Sequence, residues 1–128
     1  MLGWDHRAVA VTVLIVDDHA SFRSRARALL HVGGFEVVGE AEDGASAITA
    51  WVALRPDVVL LDIQLPDISG FDVATRLLTD AAPPAIVLIS SRDAADYGER
   101  VEQSGARGFI AKADLSGTAL TAVLAAGA

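Results

Sequence analysis

The chain predicts an α/β fold: a three-layer sandwich, (βα)5, with a five-stranded parallel sheet between two layers of helices. Apolar runs alternate with helix-period segments along the whole length, which is the pattern of strands joined by crossover helices. The first, third and fourth runs are almost purely apolar, as strands must be when helices cover both faces of their sheet. At 128 residues the chain is one domain, long enough to bury a core without metal or disulfide staples.

Each element follows in order. The strand Thr12–Val16 leads into a helix over Ser21–His31, where Phe22, Ala26, Leu29 and Leu30 share one stripe and Arg23, Arg25 and Arg27 take the other faces. Gly33 and Gly34 end that helix. Glu36–Gly39 is short and mixed, the character of a sheet edge. Ala45–Leu54 places Ala47, Ile48, Trp51 and Leu54 on one stripe, so Trp51 reads as core; Arg55-Pro56 stops the helix, because a residue before proline is driven out of the helical region. The strand Val58–Leu61 delivers Asp62 into a loop shaped by Pro66 and Gly70, in which Asp67 belongs to a turn. Ser69 supplies the N-cap of a helix over Phe71–Leu78. Ile86–Ile89 forms the fourth strand and ends at Ser90. Ala94–Ser104 reads as a helix with only Tyr97 and Val101 as large apolar groups, so it packs loosely. A second edge strand, Phe109–Ala111, ends at Lys112, and an alanine- and leucine-rich helix over Ser116–Ala125 closes the fold. Residues 1–9 read as a short leader and residues 10–128 as the domain, with right-handed crossovers throughout.

Composition excludes several functions. Seventeen acidic residues against ten basic ones give a formal charge of −7, which argues against direct nucleic-acid binding by this chain. The longest apolar run, Ala8 to Val16, is interrupted by Thr12 and is too short to span a bilayer. Asp17 and Asp18 stand where a secretory cleavage site would lie, so the run is not a signal core either. The absence of cysteine excludes thiol catalysis, disulfides and thiolate metal sites and favours a cytoplasmic setting.

In open parallel sheets ligands bind beyond the carboxyl ends of the strands, where the strand order reverses. Asp17, Asp18, Asp62 and Ser90 all fall at such ends. Three convergent carboxylates repel, couple their titrations and call for a cation. All-oxygen donors suit a hard ion, and Mg²⁺ takes one or two carboxylates while keeping several waters. A carboxylate beside such an ion is a candidate nucleophile toward a phosphoryl group, which makes Asp62 the candidate acceptor. Phosphoryl transfer also needs donors and positive charge for the equatorial oxygens; Ser90 offers a hydroxyl and Lys112 a compact ammonium.

Val16-Asp17-Asp18-His19, the segment Leu61-Asp62-Ile63-Gln64-Leu65-Pro66-Asp67-Ile68-Ser69-Gly70, Ser90, and Gly105-Ala106-Arg107-Gly108-Phe109-Ile110-Ala111-Lys112 resemble the receiver domain of two-component response regulators. The resemblance covers about residues 12–125 and is strongest to the NarL/FixJ subfamily. It implies a flavodoxin-like fold with sheet order 2-1-3-4-5. It implies Asp62 as phosphoacceptor, Asp17 and Asp18 as the pair that holds Mg²⁺, and the backbone carbonyl of Gln64 as a further ligand. Ser90 would bond a phosphoryl oxygen, with Ser91 as the rival hydroxyl, and Lys112 would pair with the phosphoryl group or with Asp62. Phe109 would be the switch aromatic, acting on a surface made by the fourth helix, fifth strand and fifth helix. The implied partners are a sensor histidine kinase or phosphotransfer protein and a phosphorylation-dependent homodimer. Regulators of this subfamily carry a DNA-binding output domain after the receiver, and no such domain lies in this chain, which reads as an excised or stand-alone receiver.

Some positions depart from the family pattern. Ala113 stands where proline often follows the lysine, which removes the reason to expect a cis peptide. Phe109 stands where tyrosine is commoner, which removes a hydroxyl. Gln64 and Arg92 occupy positions that in the family bear on phosphoryl lifetime. Other readings of the same residues are narrower. Any one of these acids could be a mere helix cap, and the domain could be a docking module that is never phosphorylated. A haloacid-dehalogenase phosphatase also uses an aspartyl phosphate and Mg²⁺, but it needs an acid two positions after its nucleophile, where Gln64 stands. A cobalamin module with Asp-x-His-x-x-Gly would need glycine at position 22, which is Phe22. His6 and His31 show no ligand spacing and read as solvated.

Overall fold

A computed structural model describes residues 9–126; apart from Val9, the expected leader lies outside the described residues. Strands β1 (Thr12–Val16), β2 (Glu36–Ala41), β3 (Val58–Asp62), β4 (Ala85–Ser90) and β5 (Gly108–Ala111) alternate with helices α1 (Ala20–Val32), α2 (Gly44–Leu54), α3 (Gly70–Leu78), α4 (Arg100–Gln103) and α5 (Gly117–Ala126). All strand pairs are parallel and the sheet order is β2-β1-β3-β4-β5, so the two mixed strands are indeed the edges.

Period-two alternation sends successive residues of the apolar strands into two separate cores. Val13, Ile15, Val58, Leu60, Val87 and Ile89 face α1 and α5, where Phe22, Ala26, Leu30 and Leu120 complete the packing. Leu14, Val16, Val59, Leu61, Ile86 and Leu88 face α2 and α3, against Ala47, Trp51, Val73, Ala74 and Leu77. With both faces covered, only the strand ends and the loops beyond them are left for polar chemistry.

Helix boundaries follow local chemistry. Asp43 caps α2 by accepting from the Ser46 N–H at 2.8 Å, and Ser69 caps α3 by accepting from Asp72 at 3.2 Å. Arg55, held ahead of Pro56, ends α2 in the left-handed region at φ 46°, which leaves Leu54 exposed at the end of its stripe. The Arg55 guanidinium lies over the Trp51 ring and pairs with Asp80, which also accepts from the indole N–H. Trp51 is thus core, with its polar edge satisfied.

The fourth helical segment differs from its expected form. Ala94–Tyr97 is a short 3-10 turn, Gly98 follows at φ 58° and ψ −136°, and α4 proper is only four residues long. That backbone conformation is open to glycine and breaks a continuous helix over residues 94–104. With so few large apolar groups, the segment gains too little from burial to impose one.

Gly70 ties the fold to the end of β3. Its N–H donates to the Ile63 carbonyl at 2.7 Å, and a Cβ built there collides with the backbone carbonyl of Asp62. Gly70→Ala is therefore expected to destabilise the domain by about 1–3 kcal/mol, the range for overpacking, as measured by urea denaturation against wild type.

Candidate functional site

Asp17 follows β1 directly and is fully buried. Its N–H donates to the Ala41 carbonyl at 3.0 Å, and its own carbonyl accepts from Arg23 Nη1 at 2.6 Å. Arg23 is itself held by Glu40, which also pairs with Arg27, so α1 and the edge strand β2 together fix the end of β1. Burial pushes the Glu40 carboxyl up, but the two guanidiniums outweigh it and hold it below the usual range. On the neighbouring strand, Asp62 ends β3, is 2% exposed and accepts from the Gln64 N–H at 3.1 Å.

Lys112, the first residue after β5, closes the site from the other side. Its Nζ lies 2.5 Å from Asp17 Oδ2 and 3.1 Å from Asp62 Oδ2, and 4.8 Å from the centre of the Phe22 ring. Asp17 Oδ2 is buried against the Lys112 ammonium as a close ion pair. Asp18 stands at the more open mouth of the pocket, and His19 Nδ1 lies 3.2 Å from Asp17 Oδ1 and 3.1 Å from Asp18 Oδ1.

The electrostatics reflect this crowding. Burial, reinforced by the Asp17 charge, pushes the Asp62 carboxyl up to about 6 despite the opposing Gln64 N–H and Lys112. Burial alone would lower Lys112, yet the Asp17 and Asp62 carboxylates prevail and hold the ammonium above the usual lysine range. Ligand atoms of Asp17, Asp18, His19 and Asp62 all lie within 4.8 Å of one another, an acidic cluster able to hold a metal ion. Three clustered carboxylates, two of them paired with one lysine, fit a small hard cation.

Ser90 is buried at the end of β4, beside Asp62, but its hydroxyl faces elsewhere. Its Oγ accepts from the Arg92 N–H at 3.0 Å and lies 2.6 Å from the Tyr97 hydroxyl. Tyr97 meets Phe71 edge-on at 5.8 Å and lies 6.4 Å from the ring centre of Phe109, which is half-buried on β5. Gln64 is exposed, and Ser91 is exposed in a pocket that it lines with His19, Phe22 and Lys112.

The structure thus brings Asp17, Asp18, Asp62 and Lys112 into one pocket and sets Ser90 next to it. Three contributors were not legible in the sequence. Tyr97 reads there as one of two packing groups on a helix, but it ends the 3-10 turn Ala94–Tyr97, and its hydroxyl meets Ser90. Arg23 reads as a residue off the apolar stripe, yet it fixes the Asp17 backbone. Asp67, assigned to a turn, accepts from the Gly44 and Ala45 N–H groups at 2.8 and 2.9 Å and so also caps α2. Those backbone donors hold its carboxyl below the usual range.

Fold and pocket together define a doubly wound α/β domain with an acidic, lysine-bridged site at the point where strand order reverses. Residues 13–124 match the family described as the response regulator receiver domain, and the chain belongs to that family. It is 41% identical over 103 residues to a Mycobacterium tuberculosis protein named "Probable transcriptional regulatory protein NarL", covering 80% of this chain and 48% of that one. It is 34% identical over 100 residues to the transcription regulator BvgA of Bordetella pertussis, covering 78% of this chain and 48% of BvgA. The chain therefore spans about half the length of these curated relatives. The solved signal receiver domain of the M. tuberculosis NarL superposes with a TM-score of 0.80 at 38% identity, over 92% of this chain and 96% of that one. Receiver domains are not classical enzymes. Among the described residues no helix is long and apolar enough to cross a membrane.

The raised Asp62 carboxyl has a consequence for stability. Its folded pKa of about 6 exceeds the ordinary 3.8, so the native state binds this proton more tightly than the unfolded chain does. Its contribution to stability is full below about pH 4 and is lost as pH rises through about 6. In metal-free buffer Asp62→Asn is expected to flatten that decline and to gain about 1–3 kcal/mol at neutral pH, read by urea denaturation across the window.

Proposed function

We propose that this chain is the phosphoacceptor receiver of a two-component phosphorelay, taking a phosphoryl group from the phosphohistidine of a sensor histidine kinase or phosphotransfer protein onto Asp62. The observation that carries the reading is the buried Asp62 carboxylate, paired with Lys112 in the same pocket as Asp17 and Asp18. In the transfer, a carboxylate oxygen of Asp62 forms a bond to phosphorus while the phosphorus–nitrogen bond of the donor breaks and the imidazole leaves. Water later attacks phosphorus and breaks its bond to the Asp62 oxygen, which releases inorganic phosphate and restores the carboxylate.

Asp17, Asp18 and Asp62, with the backbone carbonyl of Gln64, are the residues proposed to hold Mg²⁺. When bound, Mg²⁺ supplies positive charge against the carboxylates and the incoming phosphoryl oxygens. The Lys112 ammonium, released from part of its pairing with Asp62, turns to a phosphoryl oxygen, and the Ser90 hydroxyl donates to another. Phosphorylation adds charge and strong acceptors at the strand ends. Ser90 and Phe109 then shift the surface of α4, β5 and α5, favouring a second copy of the chain or an output domain. Similarity to two proteins named as transcription regulators supports an output in the control of transcription. The absence of cysteine and of a membrane-spanning helix among the described residues supports the cytoplasmic setting of such a relay.

Incubation with acetyl phosphate or phosphoramidate and Mg²⁺, followed by intact mass measurement, tests the reading. Wild type is expected to gain one phosphate and Asp62→Ala none; equal addition to both variants sinks it. Chelation of Mg²⁺ is expected to slow phosphate addition at least tenfold, an effect of about 1.4 kcal/mol or more on the barrier. Lys112→Ala is expected to accept phosphate, more slowly, while losing any phosphorylation-dependent association by size-exclusion chromatography with light scattering. Association that persists unchanged in that variant removes Lys112 from the output pathway.

A further inference from the structure

Resting on that receiver reading, we infer that Tyr97 is a positioning residue for Ser90: its hydroxyl holds the Ser90 hydroxyl in the unphosphorylated state and is released when Ser90 turns to the phosphoryl group. Phe109 has no hydroxyl, so the aromatic on β5 cannot make such a bond. The single tyrosine of the chain makes it instead, from the segment between β4 and α4.

The hydrogen-bond inventory of Ser90 makes the two states exclusive in geometry. A serine hydroxyl has one proton and two lone pairs on a single short rotor. The Arg92 N–H takes one lone pair at 3.0 Å, and Tyr97 takes either the proton or the second lone pair at 2.6 Å. Both partners lie on the chain that follows β4, and none of the hydrogen bonds of this hydroxyl goes to Asp62 or Lys112. Rotation of the side chain toward Asp62 carries Oγ away from that segment and leaves the Tyr97 hydroxyl without its partner.

Tyr97 is placed to pass this loss on. It closes the short 3-10 turn and is followed by Gly98 at φ 58°, a conformation that glycine adopts readily. Its ring packs between Phe71 and Phe109, so it touches both α3 and β5. It also lines a groove of about 380 Å³ shared with Ile63, Leu65, Phe71 and Arg100, which gives the ring and its segment room to move. The segment carries few other large apolar anchors, so one hydrogen bond is a sizeable share of what holds it.

Hydrogen exchange of residues 93–104 tests the inference with Tyr97→Phe, which keeps the ring and removes only the hydroxyl. In the unphosphorylated protein the variant is expected to exchange about fivefold faster there, the effect of losing one ordinary neutral hydrogen bond. Wild type is expected to reach a similar rate on phosphorylation, and the variant to take up phosphate without a further rise. In a Ser90→Ala background, Tyr97→Phe is expected to add nothing, because the partner is already gone. A variant that exchanges like wild type before phosphorylation, or that shows the full wild-type rise after it, overturns the inference while leaving the receiver reading intact. So does an undiminished effect of Tyr97→Phe without Ser90, which marks a packing role only. If wild type takes up no phosphate by intact mass, the receiver reading fails and this inference fails with it.

Discussion

Two buried carboxylates at the ends of adjacent strands, Asp17 and Asp62, are held together by the Lys112 ammonium between them. Without a cation their mutual repulsion and lost hydration would favour opening of the pocket. Lysine reaches the pair from β5, on the far side of β4, so the pocket exists only when the sheet is complete. The ammonium supplies positive charge to a cluster that is also able to hold a metal ion. A cluster satisfied in this way is stable enough to fold and remains responsive to new charge.

The sheet explains why the chemistry sits where it does. Alternating side chains of β1, β3 and β4 are consumed by two apolar cores, leaving no polar position between their end residues. Polar groups are therefore confined to the ends, where the parallel arrangement gathers Asp17, Asp62, Ser90 and Lys112 at one edge. The surrounding supports are built to hold backbone rather than side chains. Arg23 fixes the Asp17 carbonyl, Gly70 lets the start of α3 lie against Asp62, and Asp67 joins the acceptor loop to α2.

Rigidity is unevenly distributed around this edge. β1, β3 and α3 hold the acids through buried packing, whereas residues 93–104 are broken by Gly98 and mostly exposed. Ser90 stands between the two regimes, on a buried strand but bonded to the loose segment. A change at the acids can thus alter that segment without disturbing the cores that hold the acids in place.

The fold class was legible in the sequence because burial on two faces leaves a direct imprint: runs of apolar residues for the inner strands, mixed runs for the edges, and stripes of period 3.6 for the helices. The positions of Asp17, Asp62, Ser90 and Lys112 at strand ends follow from the same imprint, since each polar residue stops an apolar run. The family motifs then supplied the strand order that periodicity alone leaves open. Tertiary structure decided the rest, because side-chain hydrogen bonds depend on rotamers and on loop paths that no local pattern encodes. It set Ser90 toward Tyr97 rather than Asp62, turned Asp67 into a cap, and gave Arg23 the Asp17 carbonyl. It also broke the expected helix at Gly98, where weak packing left local backbone preference to prevail over helical continuity.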